Sequence, residues 1–221
     1  TPVRYRGGMA VPAHHITSVV PAASVVPARD RVLPVGEPLA SLLPDGGLRR
    51  GWVVGCEGPA AVSLIGAVTA TAAQAGSWML LVGLHSIGLE ALAGFGVPLH
   101  RVVAVDPGPT ATTWAERVIA GVDGFELVVS RPPRGAGRVE RRVRQRLQAR
   151  GAVLVTIDSA EVGHDLVLST DSPDWIGLGR GHGRLVARRL DVTAGGRRVA
   201  RPVSGTFRFP SPDGRLEVFE R

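Results

Sequence analysis

The segment Gly55-Cys56-Glu57-Gly58-Pro59-Ala60-Ala61-Val62-Ser63-Leu64 constrains the fold of this chain more than any other stretch. It follows a strand-like apolar run, Trp52-Val53-Val54, and leads into a small, apolar, helix-like run ending at Ala75. Strand, glycine-bearing turn and helix in that order describe a phosphate-binding loop, G-x-x-x-x-G-K-[ST]. In such a loop backbone N–H groups wrap the phosphates, the Lys supplies charge and the hydroxyl holds Mg²⁺. Gly55 keeps the first glycine, but Ala60 stands at the second, Ala61 at the Lys and Val62 at the hydroxyl, with Ser63 one position late. The chain contains no lysine, and although Arg is abundant none is used at position 61. The wrapping backbone is retained and the charge is gone, so tight triphosphate binding and ATPase activity are not expected.

The rest of the chain sets this loop in an α/β frame. Residues 1–34 are rich in Pro, Val and Ala without a period and read as an extended or disordered arm; 35–221 read as one domain. Glu37–Leu43 reads as a short helix stopped by Pro44-Asp45-Gly46-Gly47, Arg50–Gly55 as a strand and Ala61–Ala75 as a buried helix. Strands are expected at Trp78–Val82, Arg101–Val105, Phe125–Val129 and Ala152–Ile157, and helices at Gly88–Phe95, Thr112–Gly121 and Gly137–Arg150. In the last helix Val143 and Leu147 continue the spacing begun at Val139, leaving Arg on the other faces. That alternation implies parallel βαβ units. After Asp158 the segments Asp165–Leu168, Arg184–Val192, Gly205–Phe209 and Leu216–Phe219 alternate like antiparallel strands. The expected fold is a mostly parallel twisted sheet flanked by helices, with antiparallel C-terminal strands.

Charge is segregated. The chain carries +7 overall, and Arg131–Arg150 holds eight arginines against the single acid Glu140. A second basic stretch, Arg180–Arg221, holds ten arginines against four acids. Segregation of this kind predicts a basic face. Cys56 is the only cysteine, which excludes a disulfide framework or a Cys-based metal site. The beginning of the chain lacks a secretory h-region and no run is long enough to span a membrane, so a cytoplasmic protein is expected.

The order of elements, with the altered loop after the first core strand and hairpins at the end, resembles the RecA ATPase core. Leu42-Leu43-Pro44-Asp45-Gly46-Gly47-Leu48-Arg49-Arg50-Gly51 looks like the glycine turn before the RecA loop strand, and Gly55 and Glu57 fit its G-P-E-S-S-G-K-T. Among RecA-like proteins without the lysine the chain resembles ImuA, and especially its actinobacterial form ImuA-prime. The resemblance implies a non-catalytic accessory role in the SOS mutasome, in translesion DNA synthesis and induced mutagenesis. It also implies ImuB, RecA and the DnaE2 polymerase as partners, no cofactor, and association with the nucleoid after DNA damage. A RecA-type alignment puts His85 at the water-activating glutamate, Ser130 at the metal-binding aspartate and Asp158 at the γ-phosphate sensor. All of these chemical positions are lost together, and an acid at 158 would repel phosphate.

Three further groups of residues are candidates. Arg131, Arg134, Arg138, Arg141, Arg142 and Arg144 could hold a single-stranded DNA backbone, and Arg180 and Arg184, in a Gly-rich segment, could join them. The alternative is a solvated helix face and a plain hairpin loop. Trp175 nearby reads either as a base-stacking platform or as a core anchor, with the anchor preferred. For partner binding the C-terminal strands are the expected place, with Arg208, Phe209, Arg215, Leu216 and Phe219 as contacts. Cys56 reads as a small buried residue, and His164 as isolated. Two other classes remain open beside the adaptor: a DNA-binding RecA paralogue, and a SulA-like inhibitor of the division protein FtsZ.

Overall fold

A computed structural model describes residues 31–171, 174–178, 183–209 and 216–219. Its centre is a ten-stranded mixed sheet of spatial order β12-β11-β10-β8-β3-β7-β6-β4-β5, with β9 pairing on β10. The loop strand β3 (Val53–Glu57) lies between β7 (Val153–Ile157) and β8 (Leu166–Thr170), parallel to both. On the β7 side β6 (Leu127–Ser130), β4 (Met79–Val82) and β5 (Val102–Val105) continue the parallel run to the edge. On the β8 side the sheet turns antiparallel through β10 (Gly183–Gly195), β11 (Val203–Phe209) and β12 (Glu217–Val218), and β9 (Asp174–Leu178) also runs antiparallel to β10. A separate antiparallel pair joins β1 (Val32–Pro34) to β2 (Gly47–Arg49).

Neighbouring side chains along each central strand feed two different cores, because successive residues of a strand point to opposite faces. Val54 and Cys56 of β3, with Met79 and Leu81 of β4, face α1 (Ala61–Gln74) and α2 (Leu89–Gly94). Val53, Leu80 and Val82 face α3 (Ala111–Gly124) and α4 (Glu140–Arg150). Central strands covered on both faces need apolar residues at every position, which is why Leu-Val-Val and Met-Leu-Leu-Val are unbroken runs rather than alternations. Helix α1 buries Leu64, Ile65, Val68 and several alanines, so its apolar character all round suits its place under the sheet. Helix α3 is started by Thr110, whose hydroxyl accepts the Thr113 N–H at 3.1 Å, with Thr113 bonding back to the Thr110 N–H.

The expected mixed architecture is therefore observed, with differences in detail. β8 shows the expected burial alternation and pairs antiparallel to β10 as expected, but on its other side it pairs parallel to β3, because its residues enter the sheet beside the loop strand. The expected helix at 37–43 is a 3₁₀ turn, Leu39–Leu42. Val32–Pro34, assigned to the arm, form a strand whose Leu33 is buried in the main core. Trp78, expected inside a buried strand, precedes β4, is exposed and lies under the Arg101 guanidinium. β9 had no counterpart in the sequence reading. The remainder of the arm lies outside the described residues, as do Arg180 and Arg215. Among the described residues no helix is long and apolar enough to cross a membrane.

Candidate functional site

The altered loop sits at the carboxyl end of β3, where open α/β sheets ordinarily receive ligands. Two of its backbone donors are already taken by side chains. The Gly58 N–H donates to Asp158 Oδ1 at 3.1 Å, and the Ala60 N–H donates to Thr170 Oγ1 at 3.1 Å. Thr170, the last residue of β8, in turn donates its hydroxyl to the Glu57 carbonyl at 3.3 Å. Helix α1 has no side-chain cap of its own at Ala60, so a hydroxyl from another strand satisfies one of its orphan amides. Gly58 has φ +94°, and a Cβ there would run into the Thr170 carbonyl oxygen, so the turn closes against β8 only with glycine. Asp158 itself adopts a left-handed conformation, φ 41°, and donates its own N–H to the Cys56 carbonyl at 3.0 Å.

The other positions singled out by the RecA-type alignment have structural occupations. Ala61, at the place of the lysine, is buried against the core, as is Ala60; Pro59 and Val62 are exposed. Ser130, at the place of the metal-binding aspartate, is fully buried. It accepts the Trp114 Nε1–H at 2.8 Å and donates to the Val82 carbonyl at 3.0 Å. His85 is a surface residue 3.6 Å from Asp106. Cys56 is buried, and burial, reinforced by the charges of Asp158 and Glu57, pushes its thiol far up, so it is unreactive. Among the described residues no cluster of His, Cys, Asp or Glu could hold a metal ion.

Beneath the loop lies a polar group the sequence reading missed. The His164 ring packs on Gly55, where any Cβ would touch it at 3.1 Å. Its Nε2 shares a hydrogen bond of 2.8 Å with Thr156 Oγ1, and its Nδ1 is 3.8 Å from Glu57 Oε1. Burial lowers the His164 pKa; Glu57 opposes this, while Arg144 and Arg197 add to it. The next residue, Asp165, is the best-satisfied carboxylate of the described fold. It accepts the Val53 N–H at 2.9 Å, Arg144 Nη1 at 2.7 Å and Arg198 Nε at 3.1 Å. Burial opposes its ionisation, but the Val53 amide and the Arg144 guanidinium outweigh that and hold its carboxyl below the usual range.

The basic candidates divide into spent and free. Arg144 is only 17% exposed and also bonds Glu140 and the Gly163 carbonyl, so this member of the expected DNA-contacting row is an internal tether. Arg146 and Arg150 both hold Asp123. Arg131 lies 4.0 Å from Asp158, whereas Arg134, Arg138, Arg141 and Arg142 form no ion pair among the described residues. Arg184 is exposed at the start of β10.

On the antiparallel strands, Trp175, Arg188 and Phe209 stand in register on β9, β10 and β11. The Arg188 guanidinium lies 5.5 Å from the Trp175 ring centroid and 5.4 Å from that of Phe209, and hydrogen-bonds Ser63 of α1. Phe209 stacks on Phe95 at 4.5 Å, and Leu216 packs against the main core. Trp175 is 49% exposed, not the core anchor preferred from sequence. Leu185, Val186, Val203 and Val218 are exposed on the same strands. Arg208 and Phe219 line a shallow depression of about 410 Å³ beside Val218.

Residues 41–162, more than half of the chain, match the family described as the MT3502 N-terminal domain, and the chain belongs to that family. The match runs from the 3₁₀ turn through β7 and stops before β8, so it covers the parallel half of the sheet, the loop and α4, but not the antiparallel strands. No curated protein matches the chain.

Proposed function

We propose that this member of the MT3502 N-terminal domain family is a non-catalytic accessory protein, built on a nucleotide-binding scaffold whose phosphate loop is closed by its own side chains. The observation that carries this reading is the occupation of the Gly58 and Ala60 amides by Asp158 and Thr170, with buried Ala61 at the lysine position. A phosphate arriving there would meet the Asp158 carboxylate, with the nearby Arg131 guanidinium already turned to that carboxylate and no lysine in the loop, so the electrostatic stabilisation on which phosphoryl transfer depends would be weak.

Such a scaffold acts through its surface. Exposed Trp175, Leu185, Val186, Val203 and Val218 supply apolar anchors on the antiparallel strands, and Trp and Arg side chains of this kind dominate binding at protein interfaces. The resemblance to ImuA-prime supplies the partners: ImuB first, with RecA and the DnaE2 polymerase, in SOS-induced translesion synthesis. Co-purification with ImuB and RecA in the presence of nuclease tests this, with FtsZ as a third bait. Capture by ImuB or RecA that persists with nuclease and is lost in Trp175→Ala or Leu185→Asp supports the adaptor reading. Capture by FtsZ alone would replace it with the division-inhibitor reading, and Mg-ATP binding at low micromolar concentration by calorimetry would end its non-catalytic part.

A further inference from the structure

We propose that the groove between α4 and the β10–β11 connection binds the sugar–phosphate backbone of nucleic acid without reading its sequence. This site lies at the opposite end of β3 from the closed loop: Asp165, at its base, accepts the N–H of Val53, the first residue of that strand. The groove encloses about 720 Å³, room for a nucleotide unit rather than a lone ion.

Four arginines line it, Arg141 and Arg144 from α4 and Arg197 and Arg198 from the connection. Only two acids do, Glu140 and Asp165, so the lining carries a surplus of two positive charges. Arg144 is consumed by those acids. Arg197 and Arg198 are each anchored through Nε, to the His164 carbonyl at 3.0 Å and to Asp165 Oδ1 at 3.1 Å. Holding a guanidinium by Nε fixes its plane. Both side chains nevertheless remain more than half exposed, although Arg197 Nη2 also lies 3.9 Å from Glu140 Oε1, so each presents part of its guanidinium to solvent in a geometry that suits phosphate oxygens. Arg141 forms no ion pair among the described residues and stands on the opposite wall.

The lining also discriminates between polyanions. No aliphatic or aromatic side chain is part of it. A protein partner is anchored by apolar and aromatic contacts buried at the centre of the interface, and none is offered here. Nucleic-acid interfaces are more polar and far more positive, which fits. With no ring to stack a base, the contact is to backbone alone and tolerates any sequence.

The test uses the full chain and a labelled mixed-sequence oligonucleotide, single- and double-stranded, with binding read by anisotropy. The surplus of two positive charges gives a slope of log affinity on log salt of about −1.4 for the single strand and about −1.8 for the duplex, so binding weakens about 7- to 12-fold between about 50 and about 200 mM salt. Arg141→Glu and Arg197→Gln should each reduce the slope by about 1, while Arg117→Glu, an equal charge change on α3 outside the groove, should leave it unchanged. Thermal melts confirm that each variant is folded, and neither substitution removes an Asp165 ligand. Binding that ignores salt, or that Arg141→Glu and Arg197→Gln leave intact, would overturn the proposal. So would complete displacement by inorganic phosphate at matched ionic strength, which would mark a free-anion site, or stronger binding of polyglutamate, which would mark an acidic peptide. The outcome is independent of the adaptor reading, because partner capture is scored with nuclease present.

Discussion

Restoring the consensus loop should fail to restore nucleotide binding. The variant Ala60→Gly, Ala61→Lys, Val62→Thr supplies every residue the motif lacks, yet Asp158 and Thr170 still hold the loop amides. A phosphate oxygen seeking the Gly58 N–H would come within about 4 Å of the Asp158 carboxylate, where two unit charges repel by about 1 kcal/mol in water and about 4 kcal/mol at an effective dielectric near 20. Asp158 is about half exposed and Arg131 lies 4.0 Å away, so the repulsion falls inside that range, a factor between about 5 and about 1,000 in Kd. Displacing the two amide contacts costs about 1 kcal/mol more for each, and somewhat more for the one to the carboxylate. Mg-ATP binding by the triple variant is therefore expected only at millimolar concentration. Adding Asp158→Ser should tighten it at least about tenfold, since the repulsion and one occupied donor disappear together. Calorimetric titration of the two variants decides the matter, preceded by thermal melts because position 61 is buried. A triple variant that binds Mg-ATP as tightly as the quadruple one would refute the argument that Asp158 closes the site.

Two further outcomes follow from the His164–Asp165 region. Arg144→Met strips the nearest cation from a carboxylate whose side chain is 5% exposed, leaving Arg198 and the Val53 amide. The expected cost is about 2–4 kcal/mol, or about 5–15 °C in Tm for a chain of this length; a loss under about 0.5 kcal/mol would show that Arg198 alone suffices. Stability should also fall in two acid steps. His164 titrates below its ordinary 6.5 in the fold, so the unfolded chain takes up its proton first and stability declines as pH drops from 6.5 towards the folded value. Asp165 titrates below 3.8, so its contribution is complete above that value and lost as pH falls through the folded one. Urea midpoints across pH 7.5 to about 2 should show both steps, and His164→Gln should remove only the first; an unchanged midpoint between pH 7.5 and 5 would dissociate His164 from stability.

Patterns of short range were legible in the sequence and pairings of long range were not. Helix α1 and the β3, β4 and β7 runs could be read because burial on all sides writes itself as unbroken apolar sequence. The departure from the phosphate-loop motif could be read because the motif fixes which residue types belong at Ala60, Ala61 and Val62. What filled the gap could not: Thr170 and Glu57 are 113 residues apart, and nothing local announces their hydrogen bond. The parallel pairing of β8 with β3, beside its antiparallel pairing with β10, was not legible for a similar reason. Its alternation reports one solvent-side face, while its orientation depends on pairing with β3. Arg144 looked like one more member of a cationic row. It follows buried Val143 and precedes buried Leu147 by three, so helical geometry sets it on the edge of the core stripe, where Asp165 meets it. Arg197 and Arg198 gave no sign of facing α4, because a chain turn and not a period brings them there.

One short connection accounts for both ends of β3. Strands β7 and β8 flank it in parallel, so the chain must return from Ile157 at the carboxyl end to Leu166 at the amino end within eight residues, 158–165. Parallel crossovers usually need a dozen residues or more and a helix. Eight extended residues reach at most about 26–29 Å, enough to run back along a five-residue strand of about 17 Å but not to wind a helix on the way. The connection therefore lies against β3 itself. Its first residue, Asp158, turns sharply beside the loop and takes the Gly58 amide; His164 packs on Gly55 midway; Asp165 caps the Val53 amide at the far end and gathers Arg144 and Arg198. A longer connection would be free to lift away from the strand and leave the loop amides to a ligand. The same brevity that occupies the loop amides builds the floor of the basic groove, and this is why the closed loop and the arginine-lined groove stand at opposite ends of one strand.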